Sequence, residues 1–126
     1  MSLVASAGAT AKAVELKPAQ PVSIVTASGK AHDEAVVKEA IIAGGAVRGW
    51  LPESEAPGRV VLRNVIRGKH TVVVAVVYKS DSLKVEYVDS DNLNFKERNG
   101  KRYIHPKYQQ WVDAMVHDIR LKLPMR

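Results

Sequence analysis

Residues 59–88 read RVVLRNVIRGKHTVVVAVVYKSDSLKVEYV: three apolar runs, parted by Arg67-Gly68-Lys69 and by Ser80-Asp81. The first run alternates, which sets Arg59, Val61, Arg63, Val65 and Arg67 on one side of a strand and Val60, Leu62, Asn64 and Ile66 on the other. The second, His70 to Lys79, is apolar on both sides, the pattern of a strand in the middle of a sheet. The third, Ser82 to Val88, sets Leu83, Val85 and Tyr87 against Lys84 and Glu86. Connections this short force each run to lie antiparallel to the next.

Upstream, Trp50 to Ala56 is a short strand that Pro52 confines to an edge, followed by a Pro57-Gly58 turn. Ala31 to Val47 has helical spacing, with Ala35, Val36, Ala40 and Ile42 or Ala43 as its apolar stripe and Gly44-Gly45 ending or loosening it. Asp33 and Glu34 suit the positive end of a helix dipole. Val22 to Ala27 is a β-rich run, and Val14 to Pro21, with two prolines, an extended lead-in.

Downstream, Asp91 to Arg102 is polar and turn-rich, with a tight turn at Asn99-Gly100. Pro106 opens a helix whose stripe is Tyr108, Trp111, Val112, Met115, Ile119 and Leu123, and Pro124 stops it. Trp111 is expected in the core. These elements predict an α+β fold: an antiparallel β-meander of three to four strands with two helices packed on one face. Residues 14–126 form a single domain, and 1–13 a disordered tail or the remnant of a signal peptide.

Composition limits the chemistry. The chain has 126 residues, 46% hydrophobic and 25% charged, ordinary for one globular domain. It contains no cysteine, which excludes disulfides, thiolate nucleophiles and cysteine-held metals. The net charge of +6 arises from 19 Lys and Arg against 13 Asp and Glu, spread without a long run of like charge. A basic balance suits nucleic acid, anionic lipid or acidic polymers, and equally a plain solvated surface. The opening MSLVASAGATAKA carries two A-x-A motifs, Ala5-Ser6-Ala7 and Ala9-Thr10-Ala11, of the form signal peptidase favours, and an export signal is expected to end there.

No catalytic motif stands out. The glycines at 44, 45 and 49 lack the Lys-Ser/Thr of a phosphate loop, and neither G-x-S-x-G nor H-E-x-x-H occurs. His117 with Asp113 and Asp118 is better suited to surface pairing than to a metal, and His105 to bonding a free N–H of the first helical turn. Asp89, Asp91 and Asn92 fail the calcium-loop pattern, because Leu93 occupies a ligand position. No metal or cofactor is expected. The aromatics are few, and Tyr87, Tyr108 and Trp111 already serve the core, which weakens a stacking platform for single-stranded nucleic acid.

Two stretches carry a resemblance. The run from Val76-Val77-Tyr78-Lys79 through Val85-Glu86-Tyr87-Val88-Asp89-Ser90-Asp91-Asn92-Leu93-Asn94, with Ile104-His105-Pro106-Lys107-Tyr108-Gln109-Gln110-Trp111-Val112, resembles a group of small uncharacterised bacterial exported, lipoprotein-like domains. It covers a little under half of the chain. Lys79 stands where the group tends to have Asp, and Gln109 where it tends to have Asn. The resemblance implies a periplasmic or outer-envelope location and carries no activity. It directs attention to Tyr87, Ser90, Asn92, His105, Tyr108 and Trp111, which form either a small-ligand pocket or a hydrogen-bonded corner.

The functional expectation is a non-enzymatic envelope protein that binds or assembles through an exposed basic and apolar sheet face around Arg63 and Arg67. Its partner would be a second copy or another envelope protein, with membrane contact only through a lost signal or a lipid anchor. The alternatives are a cytoplasmic nucleic-acid-binding module and a hydrolase or lyase using His105 with Asp89 or Asp91.

Overall fold

The computed structural model describes residues 12–125, so most of the segment 1–13 lies outside the described residues. The elements run β1 (Val14–Glu15), β2 (Val22–Ser23), α1 (Glu34–Ala46), β3 (Leu51–Ala56), β4 (Arg59–Ile66), β5 (His70–Tyr78), β6 (Ser82–Asp91), β7 (Lys96–Arg98), β8 (Lys101–Ile104) and α2 (Lys107–Leu121). Two helices with two antiparallel sheets make an α+β fold. The larger sheet has the order β2-β6-β5-β4-β3 and the smaller β1-β8-β7.

Strand β5 takes the central place that its two-sided apolar pattern predicts. Its residues Val72, Val74 and Val76 are fully buried, together with Val60 and Leu62 of β4. These side chains share one core with Val37, Ala40 and Ile41 of α1 and Val112, Met115 and Ile119 of α2. Each fully buried Val or Leu contributes about 1.5–3 kcal/mol by leaving water, so this layer is the main source of stability.

Several local expectations change. The buried side of α1 is Val37, Ala40, Ile41 and Gly44, while Ala35 and Ala43 are exposed. The reason is that α1 packs against α2 as well as the sheet, which turns its stripe to the i, i+3, i+4, i+7 set starting at Val37. Gly44 and Gly45 lie inside the helix rather than ending it. A Cβ on Gly44 would sit 2.4 Å from the Ile119 Cα, so the glycine lets two helix backbones meet.

The fully buried tryptophan is Trp50, 1% exposed, immediately before β3. Trp111 is half-buried and lies against the His70 ring, with centroids 5.8 Å apart, because Tyr108, Val112 and Met115 already fill the inward face of α2. Strand β2 is only two residues long, although Ile24 N–H still donates to Asp81 C=O at 3.0 Å. Strand β6 runs to Asp91 through a bulge opposite Val73 and Val74.

The stretch 91–102 supplies β7 and part of β8. Asn99 and Gly100, with φ of 54° and 78°, turn the chain between them in the manner of a tight hairpin. The lead-in pairs with this hairpin, Val14 opposite Ile104. Ile104 and Leu16 thereby reach the main core.

Candidate functional site

The side of the large sheet opposite the core is built by register. Arg59, Val77 and Lys84 lie across from one another on β4, β5 and β6; so do Val61, Ala75 and Glu86; so do Arg63, Val73 and Asp89; so do Val65, Thr71 and Asp91. Val61, Val73 and Ala75 form a small apolar cluster of their own, with no helical residue in it. Val65 (50% exposed) and Leu51 (62%) continue it into solvent. The face therefore has an apolar spine on β5, Arg59 and Arg63 in its β4 row, and Lys84 followed by Glu86, Asp89 and Asp91 in its β6 row.

Arg63 projects from this face and lies 3.6 Å from Glu53, both about half exposed. Such an exposed pair contributes little, so Arg63 stays available to another partner. Arg67 is not on the strand face as its spacing suggests. It sits in the β4–β5 turn at φ 57°, where the left-handed backbone ends the alternation.

The residues expected to converge at the end of the sheet divide into two groups. Tyr87 and Ser90 share a hydrogen bond at 2.6 Å. Tyr87 stacks on Phe95 at 4.6 Å and meets Tyr108 edge-on at 5.7 Å. The Arg102 guanidinium lies 5.7 Å over the Tyr87 ring, within cation–π range. Burial raises both phenols above their ordinary value, Tyr108 strongly; for Tyr87 the Ser90 bond acts in the opposite direction.

Asn92 belongs to the second group. Held at φ 61°, it donates from Nδ2 to Lys69 C=O at 3.3 Å, while its own C=O accepts from His70 Nδ1–H at 2.8 Å. His105 N–H donates to Leu93 C=O at 2.9 Å, and its Nδ1 accepts the Lys107 N–H at 3.0 Å. His105 thus caps α2, as its position suggested, and its proton sits on Nε2. These contacts tie the β6–β7 connection to the β4–β5 turn and to α2; they are a structural corner. Phe95 and Arg102 are missing from the sequence reading, although the Asn99-Gly100 turn was the signal that folds them back over β6.

Two polar pairs also differ from expectation. Asp118 is buried, 6% exposed, and accepts from Arg48 Nε at 2.7 Å, joining the end of α1 to α2. Asp113 accepts from Gln109 Nε2 at 2.8 Å rather than pairing with His117. Among the described residues, no three His, Asp or Glu side chains come together around a cation position.

A groove of about 790 Å³ opens between residues 16–20, the outer edge of β6 at Lys84–Tyr87, and α2 at Tyr108, Val112 and Val116. Arg102 and Arg120 line it, and neither has a carboxylate partner among the described residues. Comparison of the chain with family models, curated proteins and solved structures finds no match.

Proposed function

We propose that the chain is a non-enzymatic assembly module of the bacterial cell envelope that pairs with a second copy of itself through the core-free face of its large sheet. The envelope location rests on the resemblance and on the A-x-A motifs. In this reading β3 to β6 form a meander with both helices on one side, and the other side is left for association.

The observation that carries the reading is the charge order across that face. A two-fold axis running along β5 lays the β4 row of one copy over the β6 row of the other. Arg63 then faces Asp89 of the second copy, whereas Arg59 comes over Lys84, with Glu86 one row further along, so the Arg63–Asp89 pair carries the complementarity. Sheets stacked at about 10 Å leave room for these long side chains. Along the axis, Val73, Ala75 and Val77 of β5 lie over the same residues of the second copy. A two-fold axis across the strands would instead oppose Arg to Arg, so the charge order also selects the orientation.

Sedimentation at high micromolar concentration tests this. The wild-type chain should sediment as a dimer and Arg63→Glu as a monomer, and adding Asp89→Arg to Arg63→Glu should restore the dimer. A wild-type monomer at all concentrations, or a double variant that stays monomeric, overturns the reading.

The nucleic-acid alternative has the basic row of β4 in its favour. No aromatic side chain joins the four rows of that face, so bases would have nothing to stack on. Its mark would be binding of a single-stranded oligonucleotide that weakens steeply as salt rises. For the hydrolytic alternative, His105 is engaged as a helix cap and no hydrogen bond joins it to Asp89 or Asp91 among the described residues. No helix of the described residues is long and apolar enough to cross a membrane.

A further inference from the structure

The groove beside β6 holds a second binding feature, separate from the sheet face. Val22 pairs with Leu83, and Ile24 N–H donates to Asp81 C=O. Ahead of the bulge, the odd-numbered residues of β6 (Leu83, Val85 and Tyr87) therefore turn their main-chain N–H and C=O away from β5 and toward β2. Beyond Leu83 the pairing stops. Continuing the same register would place Gln20 across from Val85 and Pro18 across from Tyr87, but Pro18 has no N–H to give, and residues 16–20 instead run along the far side of the groove.

The outward main-chain groups of Val85 and Tyr87 thus have no backbone partner among the described residues. They open into a groove large enough for a ligand. Unpaired strand-edge groups are a ready template for another strand. The groove's charges specify more: Lys17, Lys84, Arg102 and Arg120 line it against Glu86 and Asp113. Of the cations, Lys84 is paired with Glu86 and Lys17 with Glu15, each at 3.4 Å, so the groove is basic and Arg102 and Arg120 are its cations without a carboxylate partner among the described residues. Its inner wall is apolar, with Val112 and Val116 on α2.

We propose that this groove takes an extended acidic peptide segment that adds to the edge of β6. About four residues, at roughly 3.3 Å each, would span the free edge. The peptide's main chain pairs with Val85 and Tyr87. Its side chains alternate, apolar ones toward Val112 and Val116 and carboxylates toward Arg102 and Arg120. Main-chain pairing supplies affinity without sequence, and the two arginines supply the preference for acid.

The test uses the whole chain and a synthetic peptide of alternating Glu and Val. In the free chain the Val85 and Tyr87 amides should exchange with solvent much faster than those of Val74 and Val76. Adding the peptide should protect them and shift their resonances. Replacing Glu by Lys in the peptide, or making the double variant Arg102→Glu with Arg120→Glu, should weaken binding about tenfold or more, a difference of the size expected for lost charge pairing. Methylating alternate peptide amides on the pairing edge should abolish it. Val85 and Tyr87 amides already as protected as Val74 in the free chain would overturn the proposal. So would equal binding of the Lys or the N-methyl peptide, or displacement of the acidic peptide by an oligonucleotide.

Discussion

Gly44→Ala should destabilise the protein even though alanine is the better helix former. In an exposed helix the exchange gains about 1 kcal/mol. Here the new Cβ would lie 2.4 Å from the Ile119 Cα, 2.6 Å from its N and 2.9 Å from the Asp118 carbonyl carbon, where ordinary contact begins at 3.4 Å. All three are backbone atoms, so no side-chain rotation relieves the clash, and α1 and α2 must separate. Overpacking of this kind costs about 1–3 kcal/mol, and an immovable neighbour places it at the upper end. The net is a loss of about 2 kcal/mol. At roughly 4 °C per kcal/mol for a domain of this size, that lowers Tm by about 8 °C. Gly45→Ala is the control, since its Cβ would meet the Leu62 Cδ1 at 3.2 Å and the Trp50 Cβ at 3.3 Å. Small shifts of those side chains keep it within about 1 kcal/mol of the wild type. Thermal melting by circular dichroism decides: a Gly44→Ala chain as stable as the wild type, or a Gly45→Ala chain that loses more, refutes the close-crossing argument.

Burial holds the Tyr108 phenol well above its ordinary value near 10, so above that pH the unfolded chain releases a proton that the folded chain keeps. The stability this confers is complete below pH 10 and lost above it, at up to about 1.4 kcal/mol per pH unit; urea titrations across that range should show the decline, and Tyr108→Phe should flatten it. His105→Ala removes the acceptor of the Lys107 N–H and should lower stability by about 1 kcal/mol, as losing a helix cap does. A melt checks it, and sedimentation should be unchanged, because His105 lies at the corner and not on the sheet face.

Much of the large sheet was legible because its signals are local. Alternation in β4 and β6, the unbroken apolar run of β5 and short turns between them fix neighbours, direction and faces without any long-range information. The errors occur where tertiary contact overrides the local pattern. Gly44-Gly45 has the composition of a helix end, and only the approach of Ile119 explains why it is internal. Asp118 has the composition of an exposed residue until Arg48, seventy positions away, folds over it. Arg67 continues an alternation that a left-handed turn residue interrupts, and nothing in the spacing marks the change. Of the site residues, Tyr87, Ser90 and Tyr108 were brought together, whereas Asn92 and His105 serve backbone groups nearby. The groove at β6 was not legible at all, since it is made by a strand ending early, and only the positions of Pro18 and Pro21 hinted at it.

The two edges of the large sheet differ in a way that bears on both binding proposals. Along β3 every residue is exposed, and the edge carries the devices that discourage strand addition: Pro52, a bulge at Glu53, and charges at Glu53 and Glu55. Along β6, from Lys84 to Tyr87, there is no proline and no bulge, Lys84 and Glu86 pair with each other, and Val85 and Tyr87 are good strand formers. An unguarded edge normally invites sheet-to-sheet aggregation. This one forms one wall of the groove whose other walls are residues 16–20 and α2, so a strand added here lies between them. In the proposed dimer the copies meet on the face rather than at either edge, and the Arg63–Asp89 pairing sets their orientation. The division predicts that peptide binding and dimerisation are independent: the acidic peptide should bind the Arg63→Glu monomer as tightly as it binds the dimer, and a loss of affinity in that variant would mean that the face and the groove are parts of one site.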